Sequence, residues 1–261
     1  LTGYWVEPME RMLALYIRAD GTCRLFANAL FALEPQEGLE LVLHQDSDVP
    51  TAALAAALLP GTLGVDKAWP SKFLIALLAA RPDVTPVLGS APVDDARKYK
   101  DADEIATIRR ACQISMRSFY AVLDFIKPGV TEIDVANELE YQFRSRGGSG
   151  FCFETIVASG PDNGACPHAT ASNRVIEQGD FVTLDFGTYL DGYCSDITRT
   201  VVLGRPKEPQ LLKVWDIVEQ AKELGASMLR PGVTYAVDTL RELREELPGV
   251  ELVFIVGADA A

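Results

Sequence analysis

The stretch TLDFGTYLDGYCSDITRT, residues 183–200, decides how this chain is read. Apolar and polar residues alternate on both flanks with the period of a half-buried strand, and YLDG between them is turn chemistry. A turn centred on Leu190–Asp191 would set Asp185 directly opposite Asp196. Like charges placed directly across a strand pair destabilise it. Either a cation sits between the two carboxylates or the register differs from this one.

The segments before the hairpin supply helices to cover it. From Asp103 to Ile126, Ile105, Ile108, Ala111, Cys112, Ser115, Phe119 and Val122 recur at helical spacing. KPGVT ends that helix, and Thr131 is placed to cap the next, with Glu132 and Asp134 in its first turn. The second helix is expected to reach about Arg146, followed by a GGSG turn and the strand ETIVAS. RPKEPQ at 205–210 reads as a loop before a further helix. Residues 125–140 and 228–243 share a helix–PGVT–helix pattern, a weak internal repeat.

Residues 11–95 mix short strands with helices. RMLALYI, CRLFANALF and LELVLH read as strands, 51–58 and 71–80 as helices, and VTPVL as a closing strand. The polar, proline-containing segment 89–104 reads as the linker. The expected domains are 1–95, 96–232 and an atypical tail, 233–261.

Composition excludes several classes. The chain has 261 residues, 48% hydrophobic and 23% charged, the profile of a globular protein. Its formal net charge of −13 disfavours nucleic acid and anionic lipid as partners. No apolar run reaches membrane-spanning length. Five scattered cysteines without a C-x-x-C pair argue against a disulfide framework or structural zinc, and imply a reducing, cytoplasmic setting. The first residues, LTGYWVEP, lack an initiator Met and a signal-peptide pattern, so the natural start is expected to lie further upstream.

Four features converge: KDADEIATIRRACQIS at 100–115, IVASGPDNGACPHATASNRVIEQGD at 156–180, LDFG with Asp185, and CSDITRT with Asp196. Together they closely resemble the creatinase/methionine-aminopeptidase family of pita-bread metallopeptidases, in its Xaa-Pro dipeptidase and aminopeptidase branch. The resemblance covers roughly residues 1–230. It implies an α+β pita-bread domain preceded by a smaller α/β creatinase-like domain. It also implies hydrolysis of Xaa-Pro bonds in proline-containing peptides, and a homodimer. By the same resemblance Asp185 and Asp196 are ligands of two divalent metal ions, manganese first, with cobalt or zinc possible, which activate a water. His168 would not ligate metal but would hydrogen-bond the peptide and steady the tetrahedral intermediate. His44 reads as structural. Cys194 has no histidine base nearby in sequence and is expected to pack.

The resemblance stops short of a complete site. It implies a His and two Glu as further ligands, yet no histidine follows His168. Glu242, Glu245, Glu246 and Glu251 lack the matching motifs and read as a solvated helix face and its exit. The pita-bread domain is therefore expected to be incomplete at its C-terminal side and the chain inactive or nearly so. TYAVDTLRELREELPGVELVFIVGADA, 234–260, instead resembles a segment of nicotinate-nucleotide adenylyltransferase, implying a join near Pro231–Thr234. That family's H-x-G-H motif is absent, which removes adenylyl transfer. Two rivals stay open: a non-catalytic pita-bread binding module, and a creatinase-type metal-free hydrolase, against which the aspartate pair argues.

Overall fold

The structure is a computed structural model that describes residues 2–4 and 6–229. The tail 233–261, the four downstream glutamates and nearly all of the second repeat copy lie outside the described residues. The chain divides into two compact units, Leu1–Ile105 and Ala106–Ala261.

In the first unit, β1 (Ala14–Ile17) pairs antiparallel with β2 (Cys23–Asn28), which pairs parallel with β3 (Glu40–His44). The expected strand 23–31 stops at Asn28. The Asn28 side chain accepts a hydrogen bond from the Leu30 N–H and caps a 3-10 turn, Ala29–Phe31, that ends at left-handed Ala32. Beyond it come α1 (Ala52–Ala57), β4 (Gly61–Val65), α2 (Ser71–Ala80) and β5 (Val84–Leu88), with β4 and β5 parallel. Met12, Phe26, Leu54, Phe73, Leu77 and Val84 form the core. His44 is buried and donates from Nε2 to the Met12 carbonyl at 3.3 Å, the structural role expected of it.

The segment expected as a linker contains a helix, α3 (Ala91–Lys98). Pro92 is tolerated in its first turn, where its missing N–H costs nothing, and Asp94 early with Arg97 and Lys98 late suit the helix dipole. Polarity there marked a solvated helix, not a structureless connection.

The second unit is built on α4 (Ala102–Val122) and α5 (Glu132–Ser145). Thr131 and Asp134 form a reciprocal capping box at the start of α5. β7 (Ile156–Ser159) and β11 (Ile197–Val202) flank β8 (Phe181–Phe186), both antiparallel to it. Beside this sheet lies a smaller one in which β9 (Thr188–Leu190) sits between β6 (Gly150–Phe151) and β10 (Tyr193–Cys194). Along β8, Val182, Leu184 and Phe186 are buried and Phe181, Thr183 and Asp185 are half-buried, the alternation read from sequence. The buried set packs with Phe119, Val122, Val135, Leu139 and Phe143 from the two helices. Phe186 stacks on Phe119 with ring centroids 5.7 Å apart and lies 6.2 Å from Phe143. A short helix, α6 (Gly160–Asn163), follows β7, and α7 (Gln210–Ser227) follows β11.

A second, polar constraint holds the start of β8. The Asp180 side chain is 3% exposed and lies between two cations, 2.7 Å from an Arg174 guanidinium nitrogen and 2.8 Å from Lys207 Nζ. The same Arg174 nitrogen donates to Ser159 Oγ at 2.6 Å. Gly160 leaves room for it, since a Cβ there would come 2.4 Å from the guanidinium. Lys207 thus gives the expected loop 205–210 a definite anchor.

Burial acts to raise the Asp180 pKa, but hydrogen bonds from Arg174, Lys207 and the Glu177 N–H outweigh it and hold the carboxyl below its ordinary range. A depressed carboxylate pKa contributes stability that is full above the unfolded value of about 3.9 and is lost as pH falls through the folded value. Asp180→Asn is therefore expected to cost roughly 2–4 kcal/mol in urea unfolding at pH 7. The variant's stability should also fall less steeply than the wild type's below about pH 4.

Candidate functional site

The turn that fixes the hairpin is Asp191–Gly192, with φ of 45° and 92°. Positive φ at both central positions is the type I′ geometry for which Asp-Gly is favoured. The centre lies one residue beyond the expected Leu190–Asp191. Asp185 consequently faces Thr198, not Asp196. Asp196 stands two residues before Thr198, so the two aspartates are diagonal neighbours on one face, near enough for the charge of Asp185 to act on Asp196. Residues on the other face of the same strand point to the core side: Ile197 packs against the core, and Ser195 Oγ lies 2.8 Å from Ser115 Oγ on α4.

Each aspartate has its own support. The Thr198 hydroxyl donates to Asp185 Oδ1 at 2.9 Å. Asp196 follows Ser195, which is buried and accepts the Thr188 N–H on its hydroxyl at 3.0 Å. Gly187 sits where the two sheets meet. A Cβ there would lie 1.8 Å from the Ser195 carbonyl oxygen and 2.7 Å from Cys152 Sγ, so only glycine admits this approach. Thr198, Ser195 and Gly187 were not singled out from sequence; the first two follow once the register is known.

Among the described residues no lysine, arginine or histidine forms an ion pair with either aspartate. Partial withdrawal from water, then the charge of Asp185, push the Asp196 carboxyl above its ordinary pKa range. Two oxygen donors on one face without a counter-cation suit a hard divalent ion. No group of three or more His, Cys, Asp or Glu able to hold a metal ion occurs among the described residues.

Of the two thiols beside the pair, Cys194 departs from expectation. Cys194 is exposed, not packed, because it lies on a short edge strand. Cys152 donates to the Ser195 carbonyl at 3.1 Å. Burial first, then Cys194 and the charge of Asp196, push its thiol up to about 12, which makes it a poor nucleophile or ligand at neutral pH. His168 is exposed on the segment between α6 and β8, and no hydrogen bond links it to either aspartate.

Residues 106–244 match the model of metallopeptidase family M24. The chain belongs to metallopeptidase family M24. The uncharacterized peptidase YqhT of Bacillus subtilis is 45% identical over 152 residues, 58% of this chain and 42% of that protein. A Xaa-Pro dipeptidase of Pyrococcus furiosus is 38% identical over 142 residues, 54% of this chain and 40% of that protein. Among solved structures, the recombinant prolidase of Thermococcus sibiricus superposes with a TM-score of 0.84 at 32% identity, covering 94% of this chain and 69% of that one. The chain thus spans less than half the length of those two curated relatives and about two thirds of the solved prolidase. The M24 fold here is the α+β pita-bread architecture, preceded by the smaller α/β unit.

The raised Asp196 pKa gives a stability prediction. A carboxyl whose folded pKa is raised binds its proton more tightly in the folded state. The resulting penalty is absent below the unfolded pKa of about 3.9 and full above the folded pKa. In thermal melts with chelator at pH 7, Asp196→Asn is expected to be slightly more stable than the wild type. The gain should stay within about 0.5 kcal/mol because the residue is exposed, and it should vanish towards pH 4.

Proposed function

We propose that this protein is a metal-dependent exopeptidase that hydrolyses Xaa-Pro peptide bonds with a metal-activated water. The observation that carries this reading is the diagonal pair Asp185 and Asp196, two carboxylates on one face with no cationic partner among the described residues. The M24 membership and the named prolidase and Xaa-Pro dipeptidase relatives support the substrate class. A bound pair of divalent ions, manganese first, would supply Lewis acidity and a nucleophilic water at neutral pH.

The chain's own residues would divide the remaining work. Asp185 and Asp196 hold the cations, and Thr198 fixes the direction in which Asp185 presents its second oxygen. His168, exposed on its loop, donates a hydrogen bond to the peptide and to the oxygen that gains charge during attack. Five free cysteines support a reducing, cytoplasmic setting. Assembly as a homodimer belongs to the same reading.

Asp185 and Asp196 are the two ligands assigned among the described residues, and two carboxylates fix metal loosely, since a dinuclear centre needs more donors to hold both ions in register. The 261-residue chain is therefore expected to bind manganese weakly and to hydrolyse Ala-Pro at trace rates or not at all. Calorimetry on the chain should show manganese affinity falling at least about tenfold in Asp185→Asn and in Asp196→Asn. Affinity untouched by both substitutions sinks the ligand assignment. Rapid manganese-dependent turnover of Ala-Pro would overturn the incomplete-site expectation while supporting the reaction class.

A further inference from the structure

Glu132 is a fully buried carboxylate, 0% exposed, and among the described residues it takes no part in an ion pair. Its oxygens accept five hydrogen bonds. Ser159 N–H and Ser159 Oγ, each at 2.7 Å, donate to Oε1. Asn163 Nδ2 at 2.6 Å, Ser172 N–H at 3.1 Å and Ser172 Oγ at 2.7 Å donate to Oε2. All five donors lie in two short stretches, 159–163 and 172, on either side of the loop that carries His168.

The same helix end also supplies donors to that loop. Glu132 N–H donates to the Arg174 carbonyl and Ile133 N–H to the Ser172 carbonyl, each at 3.1 Å. First-turn N–H groups of α5 that would otherwise lack a partner are thereby used. Asn163 Nδ2 also donates to the Thr170 carbonyl at 3.2 Å, which closes 163–170 into a loop. Within the loop the Cys166 N–H returns to the Asn163 carbonyl at 3.0 Å, and Ala169 is buried. His168 is thus exposed next to a buried residue, on a loop whose two ends rest on one carboxylate.

We propose that Glu132 is a positioning residue for His168: its carboxylate fixes both ends of the 163–170 loop and so sets where the imidazole stands. The inference rests on the reading of His168 as the peptide contact. An acceptor-only group is needed there. A glutamine turns one oxygen into an N–H pair, which then faces the N–H of Ser159 or Ser172, neither of which can reverse its role. A buried donor left facing a donor costs enough to loosen a loop about tenfold or more.

The test compares Glu132→Gln, His168→Ala and the double variant, each as the full chain. Hydrogen exchange at 164–174 is expected to accelerate at least about tenfold in Glu132→Gln, with α4 and the first unit unchanged. Ala-Pro, titrated in the presence of manganese, is expected to bind more weakly to Glu132→Gln and to His168→Ala by similar factors, and no more weakly still to the double variant. Unchanged exchange at 164–174 overturns the proposal. So does acceleration shared by α4, which marks general destabilisation, or a double variant whose losses multiply. If His168→Ala binds Ala-Pro as the wild type does, the peptide-contact reading fails, and the exchange result still decides whether Glu132 holds the loop.

Discussion

Two anions on one face of a β-ribbon repel each other, and the register of the ribbon sets how strongly. Here the Asp191–Gly192 turn makes that choice, because its positive φ values match the twist of the flanking strands. The register it imposes puts a threonine directly across from Asp185 and moves Asp196 to the diagonal. Repulsion is thereby reduced without being relieved, and the hydroxyl opposite becomes a hydrogen-bond donor to the carboxylate. A slip of one residue in the strand that follows the turn would bring Asp196 to the apolar side that Ile197 and Phe186 now cover, so the core defends the register as firmly as the turn does. Gly187 completes the arrangement by letting the ribbon approach its neighbours closely where it passes from one sheet to the other.

An arrangement of this kind costs stability locally, and the second unit offsets it elsewhere with fully satisfied polar groups. Glu132, Ser159, Arg174, Asp180 and Lys207 form one hydrogen-bonded chain running from the start of α5, past the end of β7, to the start of β8. Buried networks stabilise when every member has its partners and fail badly when one is lost. This one meets the condition: Glu132 has five donors, and Asp180 has two cations and a backbone N–H. It joins elements distant in sequence, which apolar contacts alone would fix less directionally.

The alternation along β8, the helical spacing of α4 and the capping of α5 by Thr131 were legible because each depends on neighbours within a few residues. The pita-bread architecture was legible through motif resemblance rather than through periodicity. The hairpin register was missed by one turn position, since YLDG allows two centres and only the backbone dihedrals choose between them. The helix at 91–98 was missed because a polar segment with proline resembles a linker until its cap and dipole pattern are weighed. Glu132 stood in plain view as a first-turn acid, yet nothing local marks it as buried. Its donors come from residues 159, 163 and 172, and only the fold brings them together.

One strand displays the difference between a carboxylate used for structure and one available for chemistry. At the entry to β8, Asp180 sits between Arg174 and Lys207, and its proton is held less tightly than in water. At its far end Asp185 has a threonine for a partner, and its charge helps raise the pKa of Asp196. Asp180 and Asp196 are acids of the same β layer, and their surroundings drive their pKa values in opposite directions. Structural anions are matched by cations that the fold itself provides. A site meant to take its cation from solution must withhold that match and accept the repulsion until the ion arrives. On the proposed reading the hairpin does so, and the polar network around Glu132 and Asp180 keeps the unit folded meanwhile.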